Sequence, residues 1–312
     1  MDTMGTPVLW GGFLAFVLGM LALDLGVFHR KAHVVGFKEA LGWSVLWVVL
    51  ALAFGAGIWA LNGGEHGLEF LTGYLIEKAL SVDNIFVFVV IFSAFGVPLA
   101  YQHRVLFWGI LGALVMRAVF ILVGTAMIER FHWVLYVFGV ILVLTGIKLL
   151  VQRNQEIHPE RNPLFRWFRS VVPAVAEYHG PRFTVVKDGR RFATPLLLVL
   201  VAIEASDLVF AVDSIPAVFA VTRDPFIVFT SNIFAILGLR AMYFLLADVV
   251  GRFKYLKVGL ALVLVFVGMK MLLAELYKIP IGVSLAVVAL LIVGSVVASL
   301  PGTPREGVPA KS

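Results

Sequence analysis

Apolar runs of about 20 residues, each long enough to cross a bilayer's hydrocarbon core as a helix, recur almost without pause from residue 8 to residue 300. They fall near 8–27, 41–61, 70–92, 105–126, 131–151, 194–220, 227–247, 255–275 and 281–300. A segment crossing lipid must satisfy its own backbone hydrogen bonds, and uninterrupted runs of this length do so as helices. The expected fold class is therefore an all-α polytopic membrane protein of about nine transmembrane helices. Composition agrees: 61% of residues are hydrophobic and only 14% charged, too little polar surface to clothe a soluble globule. The first run is followed by HRKAH, a stop-transfer flank and not a small-residue cleavage site, so it is expected to be retained.

Lys and Arg orient the bundle. With the N-terminus outside, 17 basic residues fall in the inside segments, and only Arg130, Arg223 and Lys278 fall outside. That bias predicts an N-out, C-in topology. Trp10, Trp43, Trp59, Trp108 and Trp133 lie towards run ends, as interfacial anchors do. The net charge of +6 is accounted for by these short segments, and no nucleic-acid partner is read from it. The chain has no cysteine, which excludes disulfides, thiolate metal sites and thiol catalysis.

Five acids stand inside these apolar runs. Glu77 and Asp83 lie in EKALSVDN, Asp207 and Asp213 in DLVFAVDS, and Glu204 precedes the second pair by one turn. An ionised acid at such depth costs from ~2.5 to more than 10 kcal/mol and calls for a partner. A cation is the obvious one. Lys78, Arg117, Lys148, Arg240 and Lys270 are intramembrane bases. Lys78 is expected to snorkel outward and Lys148 and Lys270 to lie near helix ends, leaving Arg117 and Arg240 as deep ion-pair or gating residues. Asp24 is open between a cytoplasmic vestibule and a local pair with HRKAH.

The order of signals repeats. Glu77, Asp83, Asn84 and Ile85 match Asp207, Asp213, Ser214 and Ile215, MRAVF around Arg117 matches LRAMY around Arg240, and TGIKLL at Lys148 matches VGMKML at Lys270. Each unit contains three crossings, so the second copy is inverted relative to the first, an arrangement that recurs in secondary transporters with midplane sites. The chain thus divides into 1–69 with two helices, repeat 1 at 70–151, a basic cytoplasmic loop at 152–193, repeat 2 at 194–275, and 276–312 with the last helix and tail. Within the loop, NPLFRWFRSVV mixes Arg with large apolar residues and could lie along the membrane surface. RFTVVKDGRRFATP reads as a hairpin turning at Asp188-Gly189.

Residues six apart on an unbroken helix point ~120° away from each other. One site gathering all five acids therefore requires local unwinding, for which Ser81, Asn84, Ser206, Ser214 and Pro216 mark the place. All seven histidines lie in loops or at run ends, so Cu(I) or Zn²⁺ lacks ligands in the core, whereas carboxylate, amide and carbonyl oxygens favour Mn²⁺, Mg²⁺ or Ca²⁺. No catalytic signature is present, and the chain is not read as an enzyme.

The stretches DLGVFHRKAHVVGFKEALGWS, EKALSVDNIFVF, MRAVFI, TPLLLVLVAIEASDLVFAVDSIPAVFAVTRDPFIVFTSNIFAILGLRAMYF and VGMKML resemble the TerC/Alx family of bacterial integral membrane proteins, from about residue 20 to 275. The resemblance implies manganese efflux across the cytoplasmic (inner) membrane, within the broader LysE-type transporter group. It also implies that Glu77, Asp83, Glu204, Asp207 and Asp213, with Asn84 beside them, hold the transported ion. The family's association with tellurite resistance keeps an oxyanion transporter, binding through Arg117 and Arg240, as an alternative. A non-transporting membrane assembly partner is another. Concentrative export of a divalent ion needs an energy source, and proton antiport through the same carboxylates is the natural expectation.

Overall fold

The computed structural model of the chain describes residues 3–23, 36–131, 133–151, 167, 170–187, 189–246, 255–274, 276, 277 and 279–299, except the side chains of Leu23, Asp83 and Phe86. The described residues are mostly helical. In chain order the elements are α1 (Pro7–Leu23), α2 (Phe37–Asn62), α3 (Gly64–Ala94), α4 (Leu99–Arg130), α5 (Val134–Val151), the strands β1 (Thr184–Lys187) and β2 (Arg190–Ala193), then α6 (Pro195–Phe219), α7 (Pro225–Leu237), α8 (Leu239–Leu246), α9 (Leu256–Leu272) and α10 (Ile281–Ser299). Each apolar run corresponds to a helix, save that the run at 227–247 is interrupted at Gly238 between α7 and α8. Six segments, α2, α4, α5, α6, α7 with α8, and α10, are long and apolar enough to cross a membrane. Helix α3 is longer than most of these but carries Glu77, Lys78 and Asp83 in its middle.

Local chemistry sets the boundaries. Gly63 adopts φ 100 between α2 and α3, a conformation that other residues rarely adopt. Helix α3 ends at Gly96 with φ 60, where the Val97 N–H reaches Phe92 O at 2.9 Å in a Schellman closure. Pro195 and Pro225 open α6 and α7, positions where a missing N–H costs nothing. Asp224 caps α7, accepting from Phe226 N at 2.8 Å and Ile227 N at 3.4 Å. The same carboxylate accepts from Thr3 Oγ1 at 2.9 Å and Met4 N at 2.7 Å, which ties the start of α1 to the start of α7.

Helix α7 is the centre of the bundle: with α8 it forms a span 94% buried, against 17% for α10 and 22% for α2. Phe13 of α1, Phe54 of α2, Phe70 of α3 and Phe226, Phe229 and Phe234 of α7 form a continuous aromatic cluster. On the other side α5 and α9 pack through glycine. A Cβ on Gly268 would lie 2.8 Å from Gly139 O, and one on Gly146 would lie 2.7 Å from Ala261 O. Small residues at such crossings let backbones approach closely where lipid offers no hydrophobic drive.

The hairpin forms where the sequence places it, with Thr184 opposite Ala193 and Lys187 opposite Arg190 and Gly189 at φ 73. It does not hang free. Tyr178 donates its hydroxyl to Phe95 O at 2.7 Å, and partial burial raises that phenol's pKa. Thr194 Oγ1 bonds Arg182 O at 2.7 Å, and Arg104 of α4 stacks over Phe183 at 5.2 Å. Apart from Trp167 and residues 170–172, the NPLFRWFRSVV stretch lies outside the described residues, as do Asp24 and the 301–312 tail.

Candidate functional site

Arg117 is the largest fully buried side chain among the described residues. It is 1% exposed, projects from the middle of α4, and meets α3, α6 and α7 at once. Its Nη1 donates to Glu77 Oε2 at 2.6 Å, to Asn232 Oδ1 at 3.1 Å and to Ser214 Oγ at 3.2 Å. Its Nη2 and Nε reach the two oxygens of Asp207 at 3.3 and 3.4 Å. Asn232 Nδ2 donates to Glu77 Oε1 at 2.7 Å, and Asn84 Nδ2 to Asp207 Oδ1 at 3.1 Å. Glu77, Asn84, Asp207, Ser214 and Asn232 are each no more than 3% exposed. Every oxygen of both carboxylates is thus engaged. Buried charges are tolerated under that condition.

Two acids and one guanidinium leave this cluster one negative charge in excess when all three are ionised. The guanidinium sits between two carboxylates from different helices, where any cation binding them both would sit. Its planar fork suits that role, since each carboxylate is met by donors of fixed geometry.

The other sequence candidates are spread around this centre. Asp213 accepts from Thr145 Oγ1 of α5 at 2.9 Å, with Lys148 nearby. Glu204 is half-buried, its carboxylate flush against Gly112 of α4, where a Cβ would oblige it to shift. The Asp83 backbone continues α3, and its side chain lies outside those described. Arg240 borders a separate cleft shared with Glu39, Trp43 and Trp47, away from the Arg117 cluster. Among the described residues, no group of three or more acids or histidines is placed to hold a metal ion together.

Two expectations fail. Helices α3 and α6 run unbroken through the positions marked for unwinding. The hydroxyls of Ser81 and Ser206 bond back to the carbonyls of Glu77 and Ala202 at 2.7 and 2.8 Å, which keeps these serines inside a regular helix. Pro216 comes one turn before the end of α6, where it disturbs little. Lys78 does not snorkel: its Nζ is buried with no hydrogen-bond partner among the described residues, in a niche where a Cβ on Gly238 would stand 2.6 Å away.

Asn232 was not singled out by the sequence reading, although an amide in the apolar run FIVFTSNIFAIL is the same kind of signal as the acids. At the Gly64 end of α3, Glu69 pairs with His66 at 3.0 Å, near Thr222 and Lys270. These side chains form a second, more exposed polar group.

Comparison with known proteins follows the same lines. The Integral membrane protein TerC family matches residues 62–306. An uncharacterized membrane protein of Myxococcus xanthus is 64% identical over 96% of this chain and 93% of its own length. The Escherichia coli K12 protein named "Putative membrane-bound redox modulator Alx" is 52% identical over 92% of each chain, and a Rickettsia felis membrane protein is 44% identical over 93% of this chain and 97% of its own. No solved structure matches. With a family match spanning most of its length and relatives this similar end to end, the chain belongs to the TerC family of integral membrane proteins.

Proposed function

We propose that this protein is a secondary transporter that exports a hard divalent cation, Mn²⁺ foremost, across the bacterial cytoplasmic membrane, with Glu77 and Asp207 as its central ligands. The observation that carries this reading is the buried Arg117 guanidinium clamped between them. Two carboxylates at this depth, flanked by Asn84, Asn232 and Ser214, form an all-oxygen cage for a cation, and a tethered cation occupies it. The same arrangement speaks against an oxyanion transporter, because the donors an oxyanion would need on Arg117 are already taken by acids.

Contacts at two helix crossings support the inverted repeat. Glu77 and Asn84 match Asp207 and Ser214 in sequence; Asn84 bonds Asp207, and Glu77 meets Ser214. The counterparts of two contacting residues contact each other in turn, the rule for surfaces related by a two-fold axis. Helices α5 and α9 obey it too, since Gly139 faces Gly268 while Gly146 faces Ala261. With the N-out orientation that the basic residues favour, this axis lies in the membrane plane.

Moving a divalent ion outward against an inside-negative potential costs ~2.3 kcal/mol per charge per 100 mV, and proton antiport is the source we assign. No enzymatic role is proposed. The redox effect in the name of the Alx relatives cannot run through thiols here, because the chain has no cysteine; it would follow from the ion moved. Purified protein in liposomes tests the reading. Mn²⁺ flux that collapses in both Glu77→Gln and Asp207→Asn variants supports it, and flux unchanged in both refutes it.

A further inference from the structure

Arg117 and Arg240 hold matching places in MRAVF and LRAMY, yet the fold treats them differently. Arg117 fills the carboxylate site. Arg240 borders a narrow cleft whose walls also hold Glu39, Trp47, Phe107, Ile110 and Phe244. Phe107 and Ile110 precede Arg117 by ten and seven residues; Thr230 and Ile233 stand in the same relation to Arg240. Those two are 0% and 1% exposed, and Ile121, the counterpart of Phe244, is 1% exposed. Phe107 and Ile110 are each 6% exposed, so packing is looser beside Arg240 than at the matching positions around Arg117.

The carboxylate site has room for one guanidinium. Arg117 uses Glu77 Oε2 and both Asp207 oxygens, and Asn232 takes Glu77 Oε1. The second arginine is carried differently: α4 is continuous through Arg117, whereas Arg240 stands two residues past the interruption at Gly238. A glycine joint between two helical pieces supplies the hinge for a movement of this kind.

We propose that Arg117 and Arg240 take turns as the built-in cation of the Glu77–Asp207 pair. Arg117 occupies it in the conformation described, and Arg240 enters when the bundle rocks to its symmetry-related conformation, closing the present cleft and opening its counterpart beside Ile233. This rests on the transporter reading and on the inverted repeat. Buried acids left without a counter-charge are costly, so withdrawal of one arginine favours arrival of the cargo ion or of the other arginine. The protein thereby avoids a state with an empty, unscreened carboxylate pair.

Because the chain has no cysteine, single reporters give a clean readout. Ile110→Cys and Ile233→Cys would be placed separately into wild-type, Arg117→Gln and Arg240→Gln backgrounds. Protein in nanodiscs would then be labelled with a charged methanethiosulfonate in chelator. In the wild-type background the Ile110→Cys site is expected to react faster. Arg117→Gln should shift the ratio of the two rates towards Ile233→Cys by about fivefold or more, and Arg240→Gln should leave it at or beyond the wild-type value, since each change removes the counter-ion of one conformation. Should Arg117→Gln not reach the membrane, Arg117→Lys, with a weaker grip on both acids, is expected to move the ratio the same way. A ratio that stays put, or moves alike in both backgrounds, overturns the proposal. Labelling needs no flux, so the two readings separate. A shift without Mn²⁺ transport sinks the transporter reading and keeps the exchange, and Glu77-dependent transport without a shift does the reverse.

Discussion

Arg117 Nη1 lies 2.6 Å from Glu77 Oε2, and the two side chains are 2% and 0% exposed. A pair sealed to this degree adds little stability in itself, because desolvation offsets its attraction, but removing one partner strands the other. Arg117→Met is expected to cost about 3–5 kcal/mol. The double variant Glu77→Gln/Arg117→Met should lose clearly less than the sum of its single changes. Thermal unfolding in detergent, arranged as a double-mutant cycle, measures this; additive losses would show the contact to be energetically idle.

Asn232 holds both partners of that pair, donating to Glu77 and accepting from Arg117. Asn232→Leu keeps the volume and removes both bonds. The expected loss is about 1–3 kcal/mol, together with a drop in Mn²⁺ flux larger than that of a Ser231→Ala control. A melting temperature equal to wild type would contradict the geometry.

Glycines 146 and 268 stand at matching positions and face backbone oxygen at 2.7 and 2.8 Å. Backbone cannot yield as a side chain does, so Gly146→Ala and Gly268→Ala should each destabilise by about 1–3 kcal/mol. The two losses should be similar. A change tolerated at one position and not at the other would break the two-fold relation between α5 and α9.

Lys78 buries its amine without a hydrogen-bond partner among the described residues. Lys78→Met keeps the length and apolar stem, and removing an uncompensated buried charge is expected to leave the melting temperature unchanged or raise it. A fall equivalent to about 2 kcal/mol or more would instead mark a partner that the lysine holds.

Asp224 caps α7 and gathers Thr3 and Met4. Asp224→Ala should cost about 0.5–2 kcal/mol for the cap alone. It should also release residues 3–6 to limited proteolysis at a rate that Thr3→Val only partly reproduces. Equal protection in the Asp224→Ala protein would show that the aromatic cluster alone holds α1 in place.

Much of this was legible in the sequence because lipid enforces simple rules. Each helix corresponds to an apolar run, since a spanning backbone has nowhere else to place its hydrogen bonds. Acids in such runs put Glu77 and Asp207 among five candidates, without telling which of them meet. What stayed hidden was direction. Nothing local tells whether Lys78 turns outward or inward, and it turns inward because the niche beside Gly238 receives it. The joint at Gly238 was equally silent, since α7 and α8 together read as one apolar run. The unwinding inferred at Ser81 and Ser206 rested on gathering all five acids in one place. The fold instead brings Glu77 and Asp207 together across a crossing of two unbroken helices, which sequence spacing within either helix could not reveal.

The bond between Glu77 and Arg117 also bears on how the chain enters lipid. Helix α3 alone is a poor candidate for release from a translocon, with Glu77, Lys78 and Asp83 in its middle. Its charge-balancing partner arrives 40 residues later, on the helix that immediately follows. Leaving the insertion channel as a hairpin, α3 and α4 can present one neutralised pair in place of two bare ions, so the ribosome need not have delivered Asp207 before the first acid is sheltered.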